Sequence, residues 1–222
     1  MTIKIRFLGH SGFQIKTDDE NIYIDLYRAK KYIDRVPDVS EPGTIILATH
    51  SHGDHYHEDS VESVSSSESI IVAPEDCSDK VMKGQFQPIS VGDEIKIRDV
   101  KIQAVYAYNV KRFRTPGNPF HPKGYGVGYV ITLGGKRIYH AGDTDLIPEM
   151  EELRSIDVAL LPVGDTYTMD NVEAGEAALK IKPKMVVPMH TWDKGTEKFI
   201  QKVKEDPDIT IMDLSEGDEF TI

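Results

Sequence analysis

The sequence predicts a mixed α/β fold, because apolar residues alternate with period two along much of the chain and strands alternate with helices in its second half. In the opening segment IKIRFL the odd-numbered apolar residues face one way while Lys4 and Arg6 face the other, which is typical of a half-buried strand. No linker, repeat or low-complexity tract interrupts the pattern, so residues 1–222 are predicted to form one domain of sheets with helices outside.

The same alternation and short apolar runs predict the remaining strands. They are IYIDLY (22–27), TIILAT (44–49), SIIVA (69–73), EIKIRDVKIQAVYAY (94–108, with a turn near Asp99), YGVGYVITL (125–133), KRIYHA (136–141), VALLPV (158–163), MVVPMH (185–190), DITIMDL and EFTI. Gly134 and Gly135 predict a hairpin turn.

Two helices are predicted in the second half, over about 172–181 and 195–203. Asp170 with Glu173 three residues later predicts a capping box for the first of them. Residues 58–69 are interpreted as a short exposed helix. Residues 109–124, with three prolines and two glycines, are interpreted as a long irregular loop of the kind that is often functional.

The composition limits the partners and the compartment. A net charge of −11 disfavours nucleic acid and anionic membrane surfaces, so a small-molecule partner is expected. Cys77 is the only cysteine, which excludes an internal disulfide and a thiolate zinc site and favours a reducing compartment. No apolar stretch approaches the roughly 18 residues of a membrane span, and the protein is expected to be cytoplasmic.

The segment THSHGDHYH (49–57) holds four of the eight histidines and follows a predicted buried strand. His50 and His52 are two residues apart, so in extended backbone they point the same way. Gly53 is expected to let the chain turn and direct Asp54 and His55 to a second point. Two ligand pairs predict two metal ions, whereas the alternative is a polar loop with incidental histidines.

Two later strands also end in residues that can bind metal. KRIYHAGDTD ends in Asp143, and KMVVPMHTW leads to His190. Alone, each residue is more typical of a turn or of a satisfied polar group. Because strand ends of one sheet layer can converge on one edge, both are candidates for the site that begins at residue 50.

The motif His50-x-His52-x-Asp54-His55, followed by GDTD and PMH, resembles the metallo-β-lactamase superfamily of metal-dependent hydrolases. The resemblance runs from FLGHSGF to PMH, and YHAGDTD, DVALLPVGDTYTM and VVPMH are similar to the small single-domain branch that includes ascorbate-phosphate lactonase-like proteins. It implies a four-layer αβ/βα sandwich with the metal site at strand ends along one edge.

The resemblance also implies roles for individual residues. The first metal ion would take His50 and His52; the second would take Asp54, His55 and His190; Asp143 would bridge them, so that Asp54 and Asp143 act directly in catalysis. Asp25, His140 and His10 would lie behind the metal ligands and orient them without binding metal themselves.

The chain departs from the family pattern at one position. The relatives place a histidine at the end of the strand that reads IQAVYAYN here, where this sequence has Tyr106, Tyr108 and Asn109. Either His121 folds back to complete the first metal site, or that site is incomplete. The first alternative is preferred, since prolines flank His121 and stiffen its loop.

The implied reaction is hydrolysis by a hydroxide shared between two divalent metal ions, with zinc preferred and manganese or iron as alternatives. An ester, lactone or phosphoester bond is expected. Loop 109–124 carries four basic residues and no acid, which is typical either of a site for an anionic substrate or of a solvated loop whose charges aid solubility. The candidate substrate-binding residues are Tyr108, Asn109, Arg112 and Arg114.

Three alternatives remain open. A phosphodiesterase or ribonuclease of the same superfamily would share the metal site but would require an extended basic surface. A non-catalytic metal-binding or regulatory module would follow from an incomplete first site. A structural protein would bind no metal at all.

Overall fold

The chain forms two compact units in a computed structural model that describes residues 1–28, 39–192 and 194–222. The first unit is Met1–Ser90 with Leu214–Ile222, and the second is Val91–Asp213. Each contains a seven-stranded sheet. The predicted mixed α/β class is confirmed, while the assignment of residues 1–222 to one domain stays a prediction.

The sheet of the first unit is antiparallel on one side and parallel on the other. Its strands are β1 (Lys4–Gly9), β2 (Gly12–Lys16), β3 (Asn21–Ile24), β4 (Ile45–Leu47), β5 (Ile70–Ala73), β6 (Gln85–Pro88) and β16 (Glu219–Thr221), in the order β16-β1-β2-β3-β4-β5-β6. Strands β1, β3 and β4 run in the same direction. Their carboxyl ends therefore lie at one edge, where His10, Asp25 and Thr49 follow them.

The second unit repeats this mixed arrangement. Its strands are β7 (Glu94–Ile97), β8 (Val100–Ala107), β9 (Phe113–Thr115), β10 (Asn118–Pro119), β11 (Gly126–Leu133), β12 (Lys136–His140), β13 (Val158–Pro162), β14 (Met185–Met189) and β15 (Thr210–Ile211). The large sheet has the order β15-β14-β13-β12-β11-β8-β7, and β9 pairs with β10 separately. Strands β8, β12, β13 and β14 share one direction, so Asn109, Asp143, Gly164 and His190 follow strand ends at the same edge.

The helices are α1 (Glu58–Val64), α2 (Asn171–Ile181) and α3 (Glu197–Val203), with 3₁₀ helices at Glu75–Lys80 and Pro148–Glu152. The predicted capping box is confirmed: Asp170 accepts hydrogen bonds from the backbone of Val172 and Glu173, and the Glu173 side chain accepts from the Asp170 backbone. Within the described ranges, no helix is long and apolar enough to cross a membrane.

Two segments differ from their predicted conformation. Loop 109–124 is not wholly irregular, because residues 113–115 and 118–119 pair as a short ribbon. The helix predicted over 58–69 forms as α1 but is only partly exposed, since Val61 and Val64 pack into the core of the first unit. Strands β2 and β6 were not predicted. The Gly134–Gly135 turn is confirmed, with φ of 56° and 76°.

Cys77 provides a test of the first unit's core. Its side chain is fully buried, and burial raises the pKa of its thiol to about 12. Because the thiolate is the reactive form, we expect no reaction with a disulfide reagent such as DTNB at pH 8 in the native state. The urea-unfolded chain should react with one equivalent. Equal rates for native and unfolded protein would contradict this packing.

Candidate metal centre

Asp25 organises the segment Thr49–His57, which we name the histidine loop. One carboxylate oxygen accepts the backbone N–H of Thr49 at 2.8 Å, and the other accepts the Thr49 hydroxyl at 2.7 Å. The second oxygen also lies 2.7 Å from Nδ1 of His55. Asp25 is fully buried and has a φ of 45°, a left-handed conformation that costs energy in a residue other than glycine. This strained conformation places one carboxylate within hydrogen-bonding distance of both Thr49 and His55.

This network decides which nitrogen of two imidazoles carries the proton. A carboxylate only accepts hydrogen bonds, so His55 donates from Nδ1 to Asp25, and Nε2 of the neutral ring has the lone pair. The Thr49 hydroxyl donates to Asp25 and can therefore accept from Nδ1 of His50, which lies 3.0 Å away. Both rings thus offer Nε2 as a ligand atom.

His50 and His52 lie close enough to bind one ion. Nε2 of His50 is 3.1 Å from Nδ1 of His52, and the two rings meet edge to face. Two imidazole nitrogens on a tetrahedral zinc ion, with bonds of about 2.0–2.1 Å, lie roughly 3.3 Å apart. The spacing therefore suits a shared metal ion.

A second group in the first unit contains His10, Asp54 and His55. One ligand atom from each lies within 4.8 Å of the others. Nε2 of His10 is 3.2 Å from Oδ2 of Asp54, and Nε2 of His55 is 4.0 Å from the same oxygen. His10, predicted to act from behind the ligands, therefore directly contacts the Asp54 carboxylate. Its φ of 54° is again left-handed.

Asp143 lies between two histidines of the second unit. Its Oδ2 is 3.4 Å from Nε2 of His121, and its Oδ1 is 3.3 Å from Nε2 of His190. The residue is almost fully buried and follows Gly142, whose φ of 64° turns the chain at the end of β12. Each carboxylate oxygen faces a different imidazole, so Asp143 is a candidate ligand beside both histidines.

Asn109, which follows the end of β8, holds His121 in place. Its Oδ1 accepts the backbone N–H of His121 at 2.8 Å and lies 2.9 Å from Nδ1 of the same residue. Its amide nitrogen donates to Asp145 and to the carbonyl of Tyr167, which fixes the orientation of the amide group. His121 therefore donates from Nδ1, and Nε2 has the lone pair that faces Asp143. Asn109 thus orients a ligand candidate, and its binding of substrate stays a prediction.

His190 depends on Gly164, a residue that sequence reasoning did not identify. A Cβ at Gly164 would lie 2.3 Å from the carbonyl oxygen of His190 and 3.0 Å from its Nδ1. His190 itself has a φ of 55°. A glycine is required for this close approach between the ends of β13 and β14, and its signal in the sequence is only the glycine that follows VALLPV.

His140 has the opposite tautomer to His50, His55 and His121. Its Nδ1 accepts the backbone N–H of Gly142 at 3.2 Å, so the neutral ring carries its proton on Nε2. The fully buried ring stabilises the turn that leads to Asp143. Its predicted place behind the ligands stays a prediction.

Asp145 was also missed, although it is the second aspartate of GDTD. Its Oδ2 accepts the backbone N–H groups of Val110 and Lys111, each at 2.7 Å, and its Oδ1 accepts from Arg112 at 2.8 Å. It is fully buried and anchors the start of loop 109–124. The signal available in the sequence was the position of Asp145, two residues after the ligand candidate Asp143.

Arg112, a predicted substrate-binding residue, is engaged in ion pairs within the second unit, and its contact with substrate stays a prediction. Its guanidinium is 2.8 Å from Asp145 and 2.6 Å from Glu173, and only 12% of its side chain is exposed. Burial alone would raise the pKa of Glu173, but hydrogen bonds from Lys111 and Arg112 outweigh it and hold that pKa below its ordinary value. Arg112 therefore stabilises the loop.

The other predicted substrate residues are also engaged. Burial and the neighbouring Glu149 raise the pKa of the Tyr108 phenol, whose hydroxyl donates to Glu149 at 3.0 Å. Lys123 pairs with the same carboxylate at 2.7 Å. Arg114 lies over the ring of Phe120, 5.2 Å from its centroid. Three of the loop's four cations are thus paired with carboxylates, and the anionic substrate stays a prediction.

A family model for the β-lactamase superfamily domain matches residues 4–190. UPF0173 metal-dependent hydrolases from Pelotomaculum thermopropionicum and Thermococcus kodakarensis are each 32% identical over 99% of this chain and 100% of their own length. A solved structure from Parabacteroides distasonis has a TM-score of 0.85 and 34% identity, covering 97% of this chain and 94% of its own. Igni18, a metallo hydrolase from Ignicoccus hospitalis, has a TM-score of 0.76 and 26% identity, covering 100% and 99%.

The chain therefore belongs to the metallo-β-lactamase superfamily, among its UPF0173 metal-dependent hydrolases. The predicted superfamily is confirmed, and its fold agrees with the two large sheets. The closer similarity to the lactonase-like branch stays a prediction.

The ion pairs of Arg112 lead to a stability prediction. Arg112→Ala removes the cationic partner of the buried Asp145 and one of the two cations that pair with Glu173, so the free energy of unfolding should fall by about 3 kcal/mol. Arg114→Ala, which removes only an exposed cation–π contact, should cost about 1 kcal/mol or less. Urea denaturation of both variants measures the difference, and equal losses would show that the Arg112 pairs do not stabilise the loop.

Proposed function

We propose that this protein hydrolyses an ester, lactone or phosphoester bond of a small molecule with two divalent metal ions, for which zinc is preferred and manganese or iron are the alternatives. Membership in a family of metal-dependent hydrolases supports the reaction class. The observation that carries the proposal is the Asp143 carboxylate, whose two oxygens face two different imidazoles at 3.4 and 3.3 Å.

The proposed ligand assignment follows the family resemblance. In this assignment His50, His52 and His121 would hold one ion, Asp54, His55 and His190 would hold the other, and Asp143 would be shared between them. The distances within each unit support the parts of this assignment that they contain, namely the pair His50–His52, the pair Asp54–His55, and Asp143 with its two histidines.

The donor atoms fit divalent metal ions. Neutral imidazole nitrogen and carboxylate oxygen are ligands for zinc and also suit manganese and iron. His50, His55 and His121 each have an acceptor at Nδ1, the outer hydrogen bond that orients a ligating imidazole and fixes its tautomer. Fixed rings lose little conformational freedom when an ion binds.

Bound divalent metal ions would lower the pKa of a water molecule to about 7 and polarise the oxygen of the bond to be cleaved. The chain's own contribution is to orient the ligands and to limit access of bulk water. Asp25 and Asn109 hold three rings by hydrogen bonds, and His50, His55 and Asp143 have exposures of 2%, 1% and 5%. In such surroundings electrostatic interactions are stronger than in water.

The proposed partner is a small molecule and not a nucleic acid. The chain has a net charge of −11, and the cations Lys111, Arg112 and Lys123 are paired with acids. A phosphodiesterase that binds RNA would require unpaired basic surface. A cytoplasmic location is proposed from the single buried cysteine, as a reducing compartment would suit it.

The function is tested by two variants of the histidine loop. His52→Ala removes a proposed ligand, whereas His57→Ala removes a histidine of the same loop that contacts Ser60. Protein purified without chelator should carry two equivalents of metal in the wild type and in His57→Ala but fewer in His52→Ala. Loss of a ligand should reduce turnover of an activated ester by more than the about 10- to 100-fold that loss of an outer partner costs.

Elemental analysis and turnover together separate the alternatives. One equivalent of metal without turnover in the wild type would support a non-catalytic module with an incomplete first site. No metal, and no loss of stability on adding chelator, would support a structural protein. Equal metal content in the two variants would overturn the role of His52.

A further inference from the structure

We propose that the second unit carries a subsite for an aromatic group of the substrate, formed by Phe120, Tyr167 and Trp192, which we name the aromatic wall. The inference rests on the proposed hydrolase function and adds a substrate class to it. The subsite would bind the part of the substrate that is not cleaved.

The three rings contact one another in series. Tyr167 meets Phe120 edge to face, with ring centroids 4.8 Å apart, and lies 6.3 Å from Trp192 at an interplanar angle of 63°. Trp192 lies 5.4 Å from the ring of His190. At the other end of the series, Phe120 immediately precedes His121. The wall therefore extends between two of the proposed ligands of this unit.

The central ring is exposed even though it has two aromatic neighbours. Tyr167 is 38% exposed. Of the six large apolar side chains that are exposed in the described ranges, four belong to loop 109–124 or to the facing segment 165–172: Val110, Phe113, Tyr167 and Val172. The two segments meet where Phe120 contacts Tyr167, and exposed apolar side chains grouped in this way are characteristic of binding sites.

Residues of the aromatic wall are held in strained backbone conformations by the structure around them. Trp192 has a φ of 50°, a conformation that is strongly disfavoured for a bulky residue, and His190 has a φ of 55°. Asn109, which orients His121, also donates to the carbonyl of Tyr167 at 2.9 Å. The residues that position the ligand candidates thus also position the rings beside them.

The charges around the wall favour an aromatic group over an anionic one. Lys111 and Arg112 pair with Glu173, and Lys123 pairs with Glu149. Arg114 lies on the face of Phe120 and stabilises that ring by a cation–π contact. The loop therefore presents rings to a ligand while its cations are engaged.

The test uses Trp192, the only tryptophan of the chain, as a fluorescent reporter. The probes are 3-phenylpropanoate and butanoate, which carry the same carboxylate and differ by a ring. We expect 3-phenylpropanoate to change the fluorescence saturably and to bind more tightly than butanoate. An aromatic contact contributes about 2- to 12-fold in affinity.

Matched variants assign this preference to the wall. Tyr167→Leu and Tyr167→Phe both remove the hydroxyl group, but only the first removes the ring. The preference for 3-phenylpropanoate should be lost in Tyr167→Leu and retained in Tyr167→Phe, with butanoate binding unchanged in both as evidence of a folded protein. Equal binding of the two probes to the wild type, no saturable change, or a preference that survives in Tyr167→Leu would overturn the subsite.

Failure of the hydrolase proposal is distinguishable from failure of the subsite. Methyl 3-phenylpropanoate and methyl butanoate are assayed with added zinc or manganese. Ring-dependent binding without hydrolysis of either ester supports the wall and contradicts hydrolysis of these esters. Hydrolysis of both esters at equal kcat/KM, with equal binding of the acids, supports the hydrolase and overturns the wall.

Discussion

The hydrogen bond at one nitrogen of an imidazole determines what the other nitrogen can do, and the candidate centre depends on that constraint. Asp25 accepts from His55 directly and orders His50 through the Thr49 hydroxyl. Asn109 accepts directly from Nδ1 of His121. In each case Nδ1 has an acceptor and Nε2 retains its lone pair, so a cluster of histidines becomes a set of oriented metal ligands. Without these acceptors the rings could rotate or exchange tautomers, and a metal ion would have to order them on binding.

The position of the site follows from the direction of the strands. In each unit the strands that precede site residues run the same way, so their carboxyl ends share one edge. The chain turns sharply just after these ends, and His10, Asp25 and His190 all have positive φ. Such strain persists only where the surrounding structure fixes the backbone, and the buried strands on either side provide that restraint.

The sequence predicted most of the long strands, the capping box at Asp170 and the superfamily, because these depend on local periodicity and on closely spaced motifs. It named His121 as a candidate because few histidines were available. It did not reveal Asp145 or Gly164, whose partners are 26 to 36 residues away and whose roles depend on backbone contacts. It also did not show that Arg112 pairs with acids such as Glu173, which are distant in sequence and close in space. Charge along a sequence does not show which charges are already neutralised.

The most direct measurement is a crystal structure of the metal-loaded protein with anomalous scattering at the absorption edge of the metal. The account predicts two metal peaks about 3.5–4 Å apart. It also predicts that Nε2 of His121 lies about 2.0–2.1 Å from the ion that His50 and His52 bind, with the bond from His121 Nδ1 to Asn109 intact. A single peak, or an ion on His50 and His52 with His121 beyond bonding distance, would contradict it.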